Sequence, residues 1–266
     1  MELIANLFKA ELFLRISSAL ILIPLAIVVN YKGGTIFLSA IYIITILLAL
    51  EWVNMVYKHK EIFVYFVYLL FFTSLFLFFI SLFSHWTNLY FISFLICFFS
   101  LLFIISKGRW LFFGILYIGI PMISIIYLRL FLDLGKLILL WTFCVVWATD
   151  TFSYFGGKIF KGAIINTKIS PHKTWSGFFS GVFAAAIIGL FVSIFIELNS
   201  IYGYFLGFIS GILVQLGDLF ESWVKRNHLV KDSSKLLPGH GGVLDRLDGF
   251  ILAVTIINLI SIYEYY

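Results

Sequence analysis

Residues 222–249 read SWVKRNHLVKDSSKLLPGHGGVLDRLDG and form a polar island between two strongly apolar segments. The lysines and arginines of this island suit phosphate groups, and its aspartates suit a hard divalent cation. Its glycines allow a backbone to approach a ligand closely. The island therefore combines the components of a phosphate site with those of a metal site, next to segments that are too apolar for a soluble protein.

The rest of the chain has the composition of a polytopic membrane protein. It has 266 residues, of which 62% are hydrophobic and 12% are charged, and a soluble domain of this size needs far more polar surface. A helix of about 20 apolar residues crosses the hydrocarbon core and satisfies its own backbone hydrogen bonds there. We therefore predict an all-α polytopic membrane fold with about nine spans. These spans cover approximately residues 12–30, 35–57, 62–83, 88–106, 110–131, 137–156, 177–196, 201–223 and 249–263.

The basic residues predict the orientation of these spans. Cytoplasmic loops of membrane proteins are rich in lysine and arginine. With a cytoplasmic N-terminus, 15 of the 18 basic residues lie on the cytoplasmic side, and one span more or fewer in the middle would destroy this asymmetry. The net charge of +5 is confined to short loops beside the bilayer. This placement favours anionic lipid headgroups and a nucleotide as partners, and it argues against nucleic acid.

Polarity changes along the chain without a linker that would separate two domains. We predict one integral membrane domain over residues 1–266, with 1–135 mainly as scaffold helices. Residues 136–266 carry the reactive helices and two cytoplasmic polar loops, at about 157–176 and 224–248. Glu51 is an acidic residue within a predicted span of the scaffold part, and we expect it to pair with a distant basic residue without a catalytic role.

The span before the island carries charged residues on one face. Asp218, Glu221, Ser222 and Lys225 are spaced by three or four residues, so they share one side of a helix. Such residues are costly on an apolar helix unless they are paired, bound to a metal or facing water. An interhelical salt bridge is the structural alternative. The aspartates of the following loop favour the metal site, with Asp218 as the best intramembrane ligand.

The end of the island supplies further metal and phosphate ligands. Asp245 and Asp248 are one helical turn apart, so a cation that they hold can share ligands with the Asp218 helix. Mg²⁺ prefers a few carboxylates together with substrate phosphates and waters. Gly241 and Gly242 can present backbone N–H groups to a phosphate, although an ordinary flexible turn also contains such glycines. His240 is a candidate phosphate contact, and we do not assign it as a base.

The second polar loop contains Ser170-Pro171-His172-Lys173-Thr174-Trp175. Lys173 offers a mobile charge to a phosphate, and Ser170 and Thr174 offer hydroxyl donors. The preceding span ends with Asp150 and Tyr154, which lie on one helix face. An aspartate within a membrane span is costly and usually marks a functional site, so we expect Asp150 to line the site.

The polar island resembles the signature of phosphatidate cytidylyltransferases, the CDP-diacylglycerol synthases. The signature reads Ser-x2-Lys-Arg-x4-Lys-Asp-x-Ser-x2-Leu-Pro-x-His-Gly-Gly-x2-Asp-Arg-x-Asp, and residues 222–248 fill every fixed place. The second polar loop matches the family motif Ser-Pro-x-Lys-Thr-Trp, with Ser176 where the family usually has an acidic residue. Weaker matches at residues 15–19 and 114–121 extend the resemblance over most of the chain.

The resemblance implies transfer of a cytidylyl group from CTP to phosphatidic acid, giving CDP-diacylglycerol and pyrophosphate. It also implies Mg²⁺, with a second cation left open, and a bacterial cytoplasmic membrane with the site facing the cytoplasm. Membrane lipids are further partners, and a homodimer is left open. The residues expected to act in catalysis are Asp218, Asp245, Asp248, Lys225 and Arg246, with the three aspartates as metal ligands. The residues expected to contact CTP or the lipid phosphate are Asp150, Tyr154, Ser170, Lys173, Thr174, Ser222, Arg226, Lys231, His240, Gly241 and Gly242.

Two rival functions share some of these features. Another CTP- or polyprenol-dependent membrane enzyme, such as a lipid kinase, would also need Mg²⁺ and phosphate ligands, but the complete signature argues against it. A secondary transporter would place polar breaks at corresponding positions in two repeated halves. The first half of this chain has no counterpart to residues 210–249, which argues against a transporter.

Overall fold

The computed structural model describes residues 20–59, 61–81, 87–236 and 241–265. His240 and the motif at residues 15–19 lie outside these ranges, and the predictions made for them stay predictions.

The described residues form nine helices, one at each predicted span. Six of the helices are long enough and apolar enough to cross a membrane, which confirms a helical polytopic membrane fold. The number of nine spans and their orientation stay predictions. The helices are α1 (described over Leu20–Lys32), α2 (Gly34–Val56), α3 (Ile62–Ser81), α4 (Thr87–Lys107), α5 (Arg109–Phe131), α6 (Gly135–Phe160), α7 (Trp175–Phe195), α8 (Ser200–Asn227) and α9 (Leu244–Tyr265).

Three helices extend further into the polar loops than the sequence predicted. Helix α6 continues to Phe160, α8 continues to Asn227, and α9 begins at Leu244. The predicted limits followed hydropathy, but the i to i−4 hydrogen bonds of a helix continue through polar residues. Both loops are therefore shorter than predicted, and Lys225 and Arg226 are helical residues.

The loop between α6 and α7 contains a small β-hairpin that the sequence did not predict. Strands β1 (Ile164–Asn166) and β2 (Ser170–Thr174) pair in antiparallel register, with Ile164 opposite Thr174. The side chain of Asn166 accepts hydrogen bonds from the backbone N–H groups of Lys168 and Ile169, which closes the turn. The hairpin fixes the backbone of the segment that carries Lys173.

The described residues divide into two compact units. The first unit contains the residues up to Ile123 together with Asp232–Asp245, and the second contains Ser124–Lys231 together with the residues from Arg246 onwards. The first unit thus includes α1 to α4, most of α5 and most of the signature loop, which is the segment 228–243 between α8 and α9. The second unit includes α6 to α8, the hairpin and nearly all of α9.

Aromatic side chains of α2 and α3 bind the start of α5 in the first unit. The Trp52 indole N–H donates to the Trp110 carbonyl at 2.8 Å, and the Tyr68 hydroxyl donates to the Leu111 carbonyl at 3.1 Å. Both rings are fully buried. The pair of hydrogen bonds satisfies the polar ends of two large side chains, which otherwise would be costly to bury.

Small residues bring α6, α7 and α8 together in the second unit. A Cβ atom on Gly207 would lie 2.4 Å from the Ala185 carbonyl oxygen, and one on Gly181 would lie 2.9 Å from the Thr149 carbonyl oxygen. These short separations show that the helix backbones nearly touch, as is common between membrane helices. At the same level the Gln215 amide donates to the Ser153 hydroxyl.

The predicted orientation can be tested by chemical labelling of single cysteines, after Cys97 and Cys144 have been replaced by alanine. A cysteine at Lys136 should react with a membrane-impermeant thiol reagent in sealed cells, because it lies on the outer side of the predicted topology. A cysteine at Lys161 should react only after the cytoplasmic face is opened. Labelling of the Lys161 position in sealed cells would contradict the predicted orientation.

Candidate active site

Two glycines let α8 and α9 pack closely in the second unit. A Cβ atom on Gly217 would lie 2.5 Å from the Asp248 carbonyl oxygen, and one on Gly249 would lie 2.9 Å from the Val214 carbonyl oxygen. Because a real Cβ atom cannot occupy either position, only glycine permits this approach. The contact places the neighbours of these glycines, Asp218 and Asp248, next to each other.

Asp218 and Asp248 form a carboxyl pair at this helix contact. The two side chains interact directly with each other, and the Gly249 N–H donates to Asp248 Oδ1 at 2.7 Å. Lys173 reaches the pair from strand β2, with its Nζ 2.5 Å from Asp218 Oδ2. Two carboxyl groups and one ammonium group therefore converge from three separate elements.

Two more charged residues of the second unit surround this pair. Asp150 on α6 interacts electrostatically with Asp218, Lys173 and Arg246. We call Asp150, Lys173, Asp218, Arg246 and Asp248 the charged cluster. The structure thus brings together five of the residues that the sequence predicted for the site. The cluster offers carboxylates to a cation and cationic groups to phosphates, within one contiguous region.

Glu221 and Lys225 form an ion pair beside the charged cluster. Lys225 Nζ lies 2.5 Å from Glu221 Oε2, and Glu221 is fully buried. A buried charge of this kind is tolerated only when it is paired. The salt-bridge alternative therefore describes these two residues, although the pair lies within α8 rather than between helices. The catalytic role predicted for Lys225 stays a prediction.

The carboxyl pair suits magnesium better than a metal that needs a complete protein cage. Among the described residues, no group of three His, Cys, Asp or Glu side chains is placed to hold a metal ion. Mg²⁺ is commonly bound through one or two carboxylates, with substrate phosphates and waters as its other ligands. Asp218 and Asp248 can supply those two carboxylates.

Several predicted phosphate ligands already have local partners. The Thr174 hydroxyl accepts from the Gly177 N–H at 3.2 Å and so caps α7, and it lies 3.0 Å from the Ser176 hydroxyl. The Arg226 guanidinium donates to the carbonyls of Ile169 and Val230, and thereby ties the hairpin to the end of α8. These contacts attach the hairpin to the start of α7 and to the end of α8.

The remaining predicted ligands of the second unit lie around the same elements. Tyr154 is exposed on α6, with the Lys158 ammonium 5.7 Å from the centroid of its ring. Ser170 is half-buried in strand β2, Ser222 is buried on α8, and Lys231 is exposed after α8. Their predicted contacts with CTP or with the lipid phosphate stay predictions.

Asp245 lies in the first unit, where it organises the signature loop. Its Oδ2 atom accepts from the Ser233 N–H at 2.9 Å, the Ser233 hydroxyl at 3.0 Å and the Gly242 N–H at 2.7 Å. Gly241 has a φ of +84°, and a Cβ atom there would lie 2.6 Å from Asp245 Oδ2. The two glycines therefore allow the backbone to approach a carboxylate closely. This contact accounts for both glycines without a bound ligand.

Glu51 is the residue that the sequence analysis placed least well. It is buried in α2, only 3% exposed, and its partners are serine hydroxyls and backbone N–H groups rather than a distant basic residue. It accepts from the Ser233 and Ser234 hydroxyls, at 3.0 and 2.6 Å, and from two N–H groups at the start of α9. The signal in the sequence was the isolated carboxylate within an apolar span.

Known proteins are similar to this chain over most of its length. The model of the cytidylyltransferase family matches residues 13–263. The chain belongs to this family. A phosphatidate cytidylyltransferase of Rickettsia conorii is 40% identical over 158 residues, which cover 56% of this chain and 68% of the relative. The Rickettsia felis protein of the same name is 38% identical over 59% of this chain and 72% of its own length. The Brucella suis protein of that name is 41% identical over 58% of each chain.

Proposed function

We infer that this chain is a CTP:phosphatidate cytidylyltransferase, which transfers CMP from CTP to phosphatidic acid and releases pyrophosphate. This inference rests on the convergence of Asp218 with Asp248 and Lys173, one residue from each of the two family motifs, in a member of the family. The relatives named above carry the same activity in their names. The product, CDP-diacylglycerol, is a precursor for phospholipid synthesis.

The reaction needs no protein nucleophile. A phosphate oxygen of the lipid attacks the α-phosphorus of CTP, the new P–O bond forms, and the bond to the β-phosphate oxygen breaks with pyrophosphate as the leaving group. Both substrates are polyanions, so the barrier contains their mutual repulsion and the negative charge that develops on pyrophosphate. Cationic groups fixed beforehand around these phosphates lower such a barrier. Lys173 and Arg246 are the cationic groups of the charged cluster.

Magnesium is part of this proposal, with Asp218 and Asp248 as its protein ligands. A bound Mg²⁺ ion supplies charge stabilisation to a phosphoryl centre and orients the leaving group. The carboxyl pair is held in place by the glycine contact between α8 and α9 and by the Gly249 N–H. Asp245 remains a third candidate ligand on the basis of the sequence pattern. A second cation is compatible with the same reaction.

The membrane environment supplies one substrate and the cytoplasm the other. The polar segments 157–176 and 224–248 carry nine of the ten lysines and arginines of residues 136–266, and positive loops face the cytoplasm. We therefore propose that the site faces the cytoplasm, where CTP is found, and that phosphatidic acid arrives from the inner leaflet. Of the two rival functions, the transporter does not accord with membership of the cytidylyltransferase family. The assay described below distinguishes a lipid kinase from a cytidylyltransferase, because the two enzymes form different products.

The proposed metal ligands can be tested with purified protein, labelled CTP, phosphatidic acid and Mg²⁺. The wild type should form CDP-diacylglycerol and pyrophosphate, whereas Asp218→Asn and Asp248→Asn should each lower kcat by about 100-fold or more, because each removes a negative charge from the metal site. Asp133→Asn is the matched control, since Asp133 is an exposed aspartate outside the charged cluster. Formation of phosphorylated lipid and CDP would indicate a kinase, and full activity of both cluster variants would refute the metal assignment.

Two lysines of the same hairpin allow a specific role of Lys173 in the reaction to be distinguished from an effect of positive charge alone. Lys173→Ala should lower kcat/KM by about tenfold or more, equivalent to about 1.4 kcal/mol, because its ammonium group lies within the charged cluster. Lys168→Ala should leave kcat/KM within about twofold, since Lys168 is exposed in the turn of the hairpin. Equal effects of the two substitutions on kcat/KM would show that Lys173 contributes only to the positive charge of the cytoplasmic face and has no specific role in the reaction.

A further inference from the structure

Glu51 is a buried carboxylate that receives four hydrogen bonds from a segment more than 180 residues away in sequence. Its Oε1 atom accepts from the Ser234 hydroxyl at 2.6 Å and the Val243 N–H at 2.9 Å. Its Oε2 atom accepts from the Leu244 N–H at 2.8 Å and lies 3.0 Å from the Ser233 hydroxyl, whose single proton it shares with Asp245 Oδ2. Each carboxylate oxygen therefore binds one donor from each arm of the signature loop.

This arrangement connects the two arms of the loop to α2. Ser233 and Ser234 lie on the arm that follows α8, and Val243 and Leu244 lie on the arm that enters α9. A Cβ atom on Gly242 would lie 2.5 Å from Glu51 Oε2 and 1.9 Å from the Ser233 hydroxyl oxygen. The second glycine of the signature is thus required by the contact with Glu51, which is a function separate from phosphate binding.

The contact with Glu51 also fixes the beginning of α9. The first N–H groups of a helix have no acceptor within the helix, and a carboxylate at that end interacts favourably with the helix dipole. Glu51 provides this carboxylate from another part of the chain. Arg246 and Asp248, two members of the charged cluster, lie in the first turns of the same helix. The position of that first turn depends on the acceptor that holds it.

We propose that Glu51 is a positioning residue for cytidylyl transfer, which acts by holding the signature loop and the first turn of α9. This role rests on the proposed function, because it acts through residues assigned to that reaction. A glutamine at this position would turn an N–H₂ group towards donors that need an acceptor. Buried donors without acceptors are costly, so the loop and the helix start should loosen.

The experiment compares Glu51→Gln with Glu61→Gln in the purified full-length protein. Glu61 is an exposed carboxylate between α2 and α3, and its hydrogen bond with Lys107 at 3.0 Å lowers its pKa. Glu61→Gln is therefore a matched removal of one negative charge from the same unit. Amide hydrogen exchange of residues 241–249 measures the contact directly, and the Mg²⁺ dependence of kcat measures the role in the reaction. Ser234→Ala, which removes one donor only, replaces Glu51→Gln if that variant does not fold.

Glu51→Gln should increase exchange at Val243 and Leu244 by about tenfold and lower kcat by about tenfold, with a higher Mg²⁺ concentration for half-maximal activity. Glu61→Gln should change none of these quantities. Faster exchange with an unchanged kcat and Mg²⁺ dependence per folded molecule would overturn the positioning role and leave a structural contact. Unchanged exchange would overturn the contact itself. A wild type that transfers no cytidylyl group would overturn the proposed function, and with it a role in that reaction, whatever the exchange shows.

Discussion

The ion pair between Lys173 and Asp218 is the interaction on which the candidate site depends. A carboxylate among apolar helices is costly unless a cation or several hydrogen-bond donors surround it. Lys173 meets this requirement for Asp218 from the hairpin, at 2.5 Å. The same ion pair places Lys173, whose ammonium group can bind phosphate, next to Asp218, whose carboxylate can bind a metal ion. The constraint that stabilises the helix thus also assembles the groups that a transfer between two phosphate-bearing substrates needs.

The same constraint shapes the first unit in a different way. Among the described residues, the donors that hold Glu51 are four neutral groups of the signature loop and of the start of α9. Asp245 is held by two N–H groups of the same loop and shares the Ser233 hydroxyl proton with Glu51. Hydrogen bonds to a charged acceptor are stronger than those between neutral groups. Two carboxylates therefore hold the described residues 233–234 and 242–243 of the loop in place.

The sequence predicted the helical membrane fold well, because hydropathy reports directly on which segments can lie in a membrane. It also named all five residues of the charged cluster as site residues, since Asp150, Lys173 and Asp218 are costly or conspicuous in their segments and Arg246 and Asp248 belong to the signature. It did not predict the helical extension to Asn227, because hydropathy measures the apolar part of a helix and not its hydrogen bonds. The partners of Glu51 were also missed. A contact between residues so distant in sequence leaves no local pattern, and only the three-dimensional structure reveals it.

We propose that Asp218 and Asp248 hold a divalent cation in the presence of the nucleotide. Binding of Mn²⁺ as a substitute for Mg²⁺, followed by electron paramagnetic resonance on purified protein with CTP, tests this claim without any need for turnover. We expect protein-bound Mn²⁺ in the wild type and an affinity about tenfold weaker, or more, in Asp218→Asn and in Asp248→Asn. Equal Mn²⁺ affinity in the wild type and in both variants would contradict it.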